Sequence, residues 1–202
     1  MSDFHSSPPL RLGIFHLEDV CVRIQDGMGP YLKTAALQKT PAIEATFRWL
    51  RKRQIKIALL SDAGKKDTEM LLDRLRWRVG EEDMLQMVLT EQGASSNPLA
   101  EILELAEEEE SMSTFSVSDT PRLLQAAASC GIRLNIGVTN GCYGYPELAT
   151  EPNHALLEGP IQLPDFLLKN VPELVPENFP SSVPASRRSG SGISRQLPGI
   201  IW

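Results

Sequence analysis

Short apolar runs alternate along this chain with stretches whose apolar residues recur at helical spacing. Runs at 10–17, 55–60, 87–89, 114–117 and 134–138 have the length and composition of buried strands. Between them, Ile43, Phe47 and Leu50 place one apolar face on a helix, with Thr40 as its predicted N-cap and Pro41 at its first position. Arg48, Arg51, Lys52 and Arg53 fall on the other face and in the last turn, where cations suit the helix dipole. A second helix is predicted over 67–78, burying Met70, Leu71, Leu75 and Trp77. A third opens at Asn97-Pro98 and runs through Ile102, Leu103 and Ala106 into the acidic run 107–110. A fourth runs from Pro121 through Leu124 and Ala127 and stops at Gly131. Strand and helix in regular alternation imply right-handed βαβ crossovers and a mostly parallel sheet, hence an α/β fold.

Composition narrows the class. With 202 residues, 42% of them hydrophobic, the chain can bury one sizeable core. A net charge of −6 supplies no basic field for nucleic acid, and no apolar run approaches the roughly 20 residues that a membrane span needs. Cys21, Cys130 and Cys142 are sparse, odd in number and without a CxxC pair, as expected for reduced thiols in a cytoplasmic protein. The start shows no signal peptide pattern. The expected organisation is a flexible lead-in at 1–9, a core domain at 10–171 with a linker-like region at 20–40, and a mobile Pro/Ser/Arg-rich tail at 172–202. A short helix is expected within that linker, near 31–37.

The candidate chemistry sits where the strands end. Ligands of open parallel sheets bind outside the strands' carboxyl ends, and here those ends read His16-Leu17-Glu18-Asp19, Ser61-Asp62, Ser118-Asp119-Thr120-Pro121 and Thr139-Asn140-Gly141. Taken in order, these stretches resemble the motifs of the haloacid-dehalogenase (HAD) phosphohydrolases. Phe15-His16-Leu17-Glu18-Asp19 stands where the family reads Phe-Asp-Leu-Asp-Gly. Within that family the phosphonatase-like hydrolases are most similar. Phe47-Arg48-Trp49-Leu50 and Leu72-Asp73-Arg74-Leu75-Arg76-Trp77 flank the second strand much as theirs do, and Ser118-Asp119-Thr120-Pro121 resembles their Gly-Asp-Thr-Pro. Gly137-Val138-Thr139-Asn140-Gly141 and Pro152-Asn153-His154 complete a likeness that spans about residues 10–170. It implies a Rossmann-like three-layer αβα sandwich, capless or nearly so, since 20–40 is too short for a helical cap.

The resemblance also implies parts that this chain lacks. The family's nucleophilic aspartate is His16 here, and its acid/base is Glu18. Ser61 and Asp62 fit the phosphate-binding position, and Asp119 fits the first metal-touching acid of the fourth motif, with weak or absent metal binding expected. The later acid of that motif falls on Leu123, the glycine before Asp119 is Ser118, and a glycine of the first motif is Asp19. No lysine or arginine occurs over 92–98, where the family's cation belongs; Ser95 stands there. The expected function is therefore that of a HAD-like homologue that has lost aspartate-nucleophile phosphohydrolase chemistry, a pseudoenzyme that binds a partner protein or a small anionic ligand. The alternative is a metal-dependent phosphatase or hydrolase with a site rebuilt around His16, Glu18, Ser61 and Asp119. No cofactor is certain, and Mg2+ enters only if activity remains. Asp19, at odd spacing from Glu18, is expected to point away from the crevice.

Overall fold

The computed structural model describes residues 8–24, 27–33, 37–90, 97–106 and 111–175. The predicted tail from residue 176 on, the lead-in up to residue 7 and the acidic run 107–110 lie outside the described residues, while Pro172–Leu174 at the start of that tail form a 3-10 turn. Among the described residues six strands form one parallel sheet in the order β3-β2-β1-β4-β5-β6. They are β1 (Leu12–His16), β2 (Lys56–Ser61), β3 (Met87–Thr90), β4 (Thr114–Ser118), β5 (Leu134–Val138) and β6 (Ala155–Leu157). The central strand β1 is buried along its whole length, as its unbroken Leu-Gly-Ile-Phe-His composition demands. The last strand, β6, is a three-residue edge that its sequence did not announce.

Among the described residues seven helices pack around the sheet: α1 (Met28–Lys33), α2 (Ile43–Arg51), α3 (Lys65–Leu75), α4 (Pro98–Leu105), α5 (Pro121–Ser129), α6 (Tyr145–Leu148) and α7 (Leu163–Asn170). The larger core lies on one sheet face, where Phe15, Leu59 and Phe115 meet Phe47 of α2, Leu71 of α3 and Leu163 of α7. Phe15 is the hub of this face, edge-on to Phe47 at 5.1 Å and to Phe115 at 5.7 Å. Gly13 lacks the side chain that would otherwise strike the Phe115 ring. On the opposite face, Leu12, Ile14 and Leu60 pack under Leu99 and Ile102 of α4 and Leu123 and Ala127 of α5. The result is an α/β three-layer sandwich.

Several predicted boundaries move, each for a local reason. Thr40 does not cap α2: its N–H still bonds to the Cys21 carbonyl, Lys39 is bridged to Val22, and Ala42 turns into the left-handed region at φ 64° before the helix begins. The Thr40 hydroxyl is left buried without a hydrogen-bond partner. Helix α3 starts at Lys65, two residues before the predicted Asp67, and ends at Leu75, because Arg76 adopts φ 58° and closes it with bonds back to Asp73 and Leu72. Trp77 is buried beyond that helix, whereas Met70 is 42% exposed and not part of the core. The short helix near 31–37 is α1, set earlier in the chain. Asn97 caps α4, its side chain accepting from the Leu99 and Ala100 N–H groups, and Thr120 caps α5, accepting from the Leu123 N–H.

Candidate functional site

The chain runs β1, β2, β3 outward on one side and then returns to place β4 on the other side of β1. The carboxyl ends of β1 and β4 therefore flank the point where the strand order reverses, the usual crevice of such sheets. His16 closes β1 at this point, and its ring is buried (3% exposed) among carboxylates. Its Nδ1 lies 2.7 Å from Asp119 Oδ1, and its Nε2 lies 3.2 Å from Asp62 Oδ2 and 3.5 Å from Glu18 Oε2. Ionised carboxylates only accept hydrogen bonds, so opposite ionised Asp119 and Asp62 both ring nitrogens donate and the ring is an imidazolium. Burial opposes that charge. The bonds to Asp119 and Asp62, with the negative charges of Asp119 and Glu18, nonetheless hold the His16 pKa up at about 10.

The carboxylates are fixed in turn. Ser61 Oγ donates to Glu18 Oε1 at 2.6 Å, and the Asp62 N–H donates to Glu18 Oε2 at 3.2 Å. Ser61 also meets the Thr68 hydroxyl at 3.0 Å, which ties the end of β2 to α3. Burial pushes the Glu18 carboxyl above its ordinary range despite His16 and Ser61, whereas the His16 hydrogen bond pulls Asp62 below it. Arg122, in the first turn of α5, donates to Asp62 Oδ1 at 2.9 Å. The structure thus gathers His16, Glu18, Ser61, Asp62 and Asp119 into one cluster at the strand ends. Lys65 and Lys66 stay on the exposed start of α3 and do not join it.

Two residues join this neighbourhood that the sequence pattern placed elsewhere or passed over. Asp19 does not point away: at φ 59° it leaves the strand alternation, accepts from the Ile24 N–H and lies against Cys142. The Cys142 thiol donates to Asp19 Oδ2 at 3.0 Å, and its backbone N–H to Asp119 Oδ2 at 3.4 Å. A Cβ on Gly141 would collide with the Asp119 carboxylate, so the loop after β5 can reach Asp119 only with glycine there. No signal in the sequence tied Cys142 to Asp19; the contact depends on a left-handed turn at a residue that is not glycine. Cys21 is fully buried, its thiol donating to the His16 carbonyl, and burial drives its pKa far upward. His154 is exposed and accepts from the Asn135 N–H.

The donor set does not fit the Mg2+ that the resemblance implies. Magnesium demands oxygen ligands in near-octahedral array. Here Asp119 Oδ1 and Asp62 Oδ2 are bonded to His16, and a cationic ring fills the first position. Donor atoms of Asp19, Asp119 and Cys142 do lie within 4.8 Å of one another. The Cys142 thiol is pushed up to about 11 by its bond to Asp19 and by burial, and a soft sulfur donor does not suit a hard cation such as Mg2+.

No family model matches this sequence, and no curated protein matches it. Solved structures do. A protein provisionally named a phosphatase from Clostridium difficile superposes with a TM-score of 0.64 at 11% identity, covering 79% of this chain and 99% of its own. A haloacid dehalogenase-like family hydrolase from Streptococcus pneumoniae gives 0.59 at 12% identity, covering 78% and 98%. The cobalt-bound deoxy-D-mannose-octulosonate 8-phosphate phosphatase of Haemophilus influenzae gives 0.56 at 12% identity, covering 79% and 88%. The strand order is that of a Rossmann-like sheet, and by these superpositions the architecture of this chain is the HAD-like fold.

Proposed function

We propose that this chain is a HAD-fold protein that works by binding a partner rather than by hydrolysing phosphate esters. One observation carries the reading: both nitrogens of His16 are hydrogen-bonded to carboxylate oxygens, so the ring offers no lone pair to a phosphorus atom. Replacing an attacking carboxylate by an imidazolium removes the covalent route, and removing an electrostatic stabiliser as well costs on the order of 10²–10³ in rate. Ser61 is no substitute nucleophile, since it is fully buried and donates to Glu18. The nearness to phosphonatase-like hydrolases rests on the sequence stretches alone.

Between a partner protein and a small anion, the charges favour the protein. Glu18, Asp19, Asp62 and Asp119 outnumber His16 and Arg122 at the crevice, so an incoming anion meets net repulsion. Among the described residues no helical bundle roofs the crevice; α1 is a single six-residue helix. No described helix is long and apolar enough to cross a membrane.

The deciding experiment is a phosphatase assay with p-nitrophenyl phosphate in the presence of Mg2+, Mn2+ or Zn2+. The expected result is no turnover that distinguishes the natural chain from His16→Ala. Metal-dependent turnover abolished by His16→Ala would replace this reading with the rebuilt hydrolase.

A further inference from the structure

We infer that the His16 side chain is the resident cation of this crevice, an organic ion that does the bridging a divalent metal would do, so that the site excludes metal while histidine is present. The inference rests on the non-catalytic reading above and adds what occupies the site. Three loops converge here with like charges: Glu18 after β1, Asp62 after β2 and Asp119 after β4. Left alone, carboxylates packed this closely would repel and drive the strand ends apart. The ring lies between them, with Nδ1 toward Asp119 and Nε2 toward Asp62 and Glu18, so one flat cation bridges three strand ends.

The geometry makes this a division of labour rather than a single ion pair. Asp119 is 1% exposed and meets the ring at the shortest of the three distances. Asp62 is 40% exposed and shares its second oxygen with Arg122, which adds a cation from α5 at the rim. Glu18, the most distant of the three, spends its oxygens on Ser61 and the Asp62 N–H. Every strong acceptor direction toward the ring is thus in use, and a metal ion entering beside the ring would add positive charge next to an imidazolium. His16 is a positioning residue in this arrangement: it holds the acids and the loops that carry them.

Chemical rescue tests this directly. In the full chain, neither Mg2+, Mn2+ nor imidazole should move the melting temperature. His16→Ala should lower it by about 10 °C, the effect of leaving buried charge uncompensated in a chain of this size. Added imidazole at roughly tens of millimolar, or millimolar Mg2+ or Mn2+, should then restore several degrees by filling the vacated place. His16→Gln, which keeps a hydrogen-bonding side chain without the charge, should stay close to the alanine variant. Stabilisation of the natural chain by divalent metal would overturn the inference, as would a His16→Ala chain indifferent to imidazole and metals alike, or a His16→Gln chain as stable as the original. Should His16→Ala fail to fold, nitrogen NMR of the natural chain decides: protons on both ring nitrogens at neutral pH support the inference, and a singly protonated ring sinks it. Metal binding without turnover would defeat this inference and leave the binding function standing. Turnover without metal would do the reverse.

Discussion

Two buried polar clusters lie in the same sheet, on β1 and on β5 with β4 between them, and they are built on opposite principles. Around the Asn135 side chain of β5 the groups are neutral. Its side chain donates to the Leu124 carbonyl at 2.8 Å and the Pro152 carbonyl at 2.5 Å, and its oxygen accepts from Ser116 at 3.1 Å. Each member is satisfied, so the cluster costs little to bury and is indifferent to pH. Around His16 the groups are charged, and acids outnumber bases. That second cluster is stable only while the ring keeps its proton. A neutral buried network secures the packing of α5 and the loop at 152 against β5, whereas a charged one makes the crevice conditional on its single internal cation.

Raising the pH should separate the two most strongly. The His16 pKa is about 10 in the folded chain against 6.5 for an unperturbed ring. A base held above its unfolded value stabilises fully below pH 6.5 and loses that contribution as the pH climbs through about 10. Ionisation of Glu18, whose own pKa is raised by burial, acts in the same direction at lower pH. Denaturant unfolding followed from pH 6 to pH 10 should therefore show stability falling by several kcal/mol, on the order set by the linkage relation. A flat profile would mean that the ring is not the charge holding the acids.

Asn135→Ala should have the next largest effect, about 2 kcal/mol, because it strands the Leu124 and Pro152 carbonyls and the Ser116 hydroxyl. The loss should be the same at pH 6 and pH 9, measured by the same denaturant curves, and a pH-dependent loss would erase the contrast drawn here. Arg122→Ala should cost least, about 0–1 kcal/mol, since its pair with Asp62 is 55% and 40% exposed. High salt should mask that difference further in a thermal melt.

How much of this was written in the sequence depends on which link is asked about. The strand ends were legible because buried parallel strands are unbroken apolar runs, so His16, Ser61 and Asp119 could be placed at one edge of a sheet. The starts of α4 at Asn97-Pro98 and of α5 at Pro121 were legible because proline suits the first turn of a helix. What stayed hidden were left-handed turns at residues other than glycine. Asp19, Ala42 and Arg76 all adopt positive φ, and each redirected a reading: the facing of Asp19, the start of α2 and the end of α3. Such turns are imposed by tertiary contacts and leave no local mark. The hydrogen-bonded surroundings of His16 were hidden for a related reason, since they depend on carboxylates that are distant in sequence.

The bare backbone at Gly141 has a reach out of proportion to its chemistry. It lets the segment after β5 nest against the Asp119 side chain, and even a methyl group there would evict one or the other. Evicting Asp119 would unseat the shortest of the imidazole's three tethers. The tolerance of this cluster to evolutionary change is thus limited as much by an atom that is missing as by any ion that is present, and a survey confined to ionisable side chains would overlook its keystone.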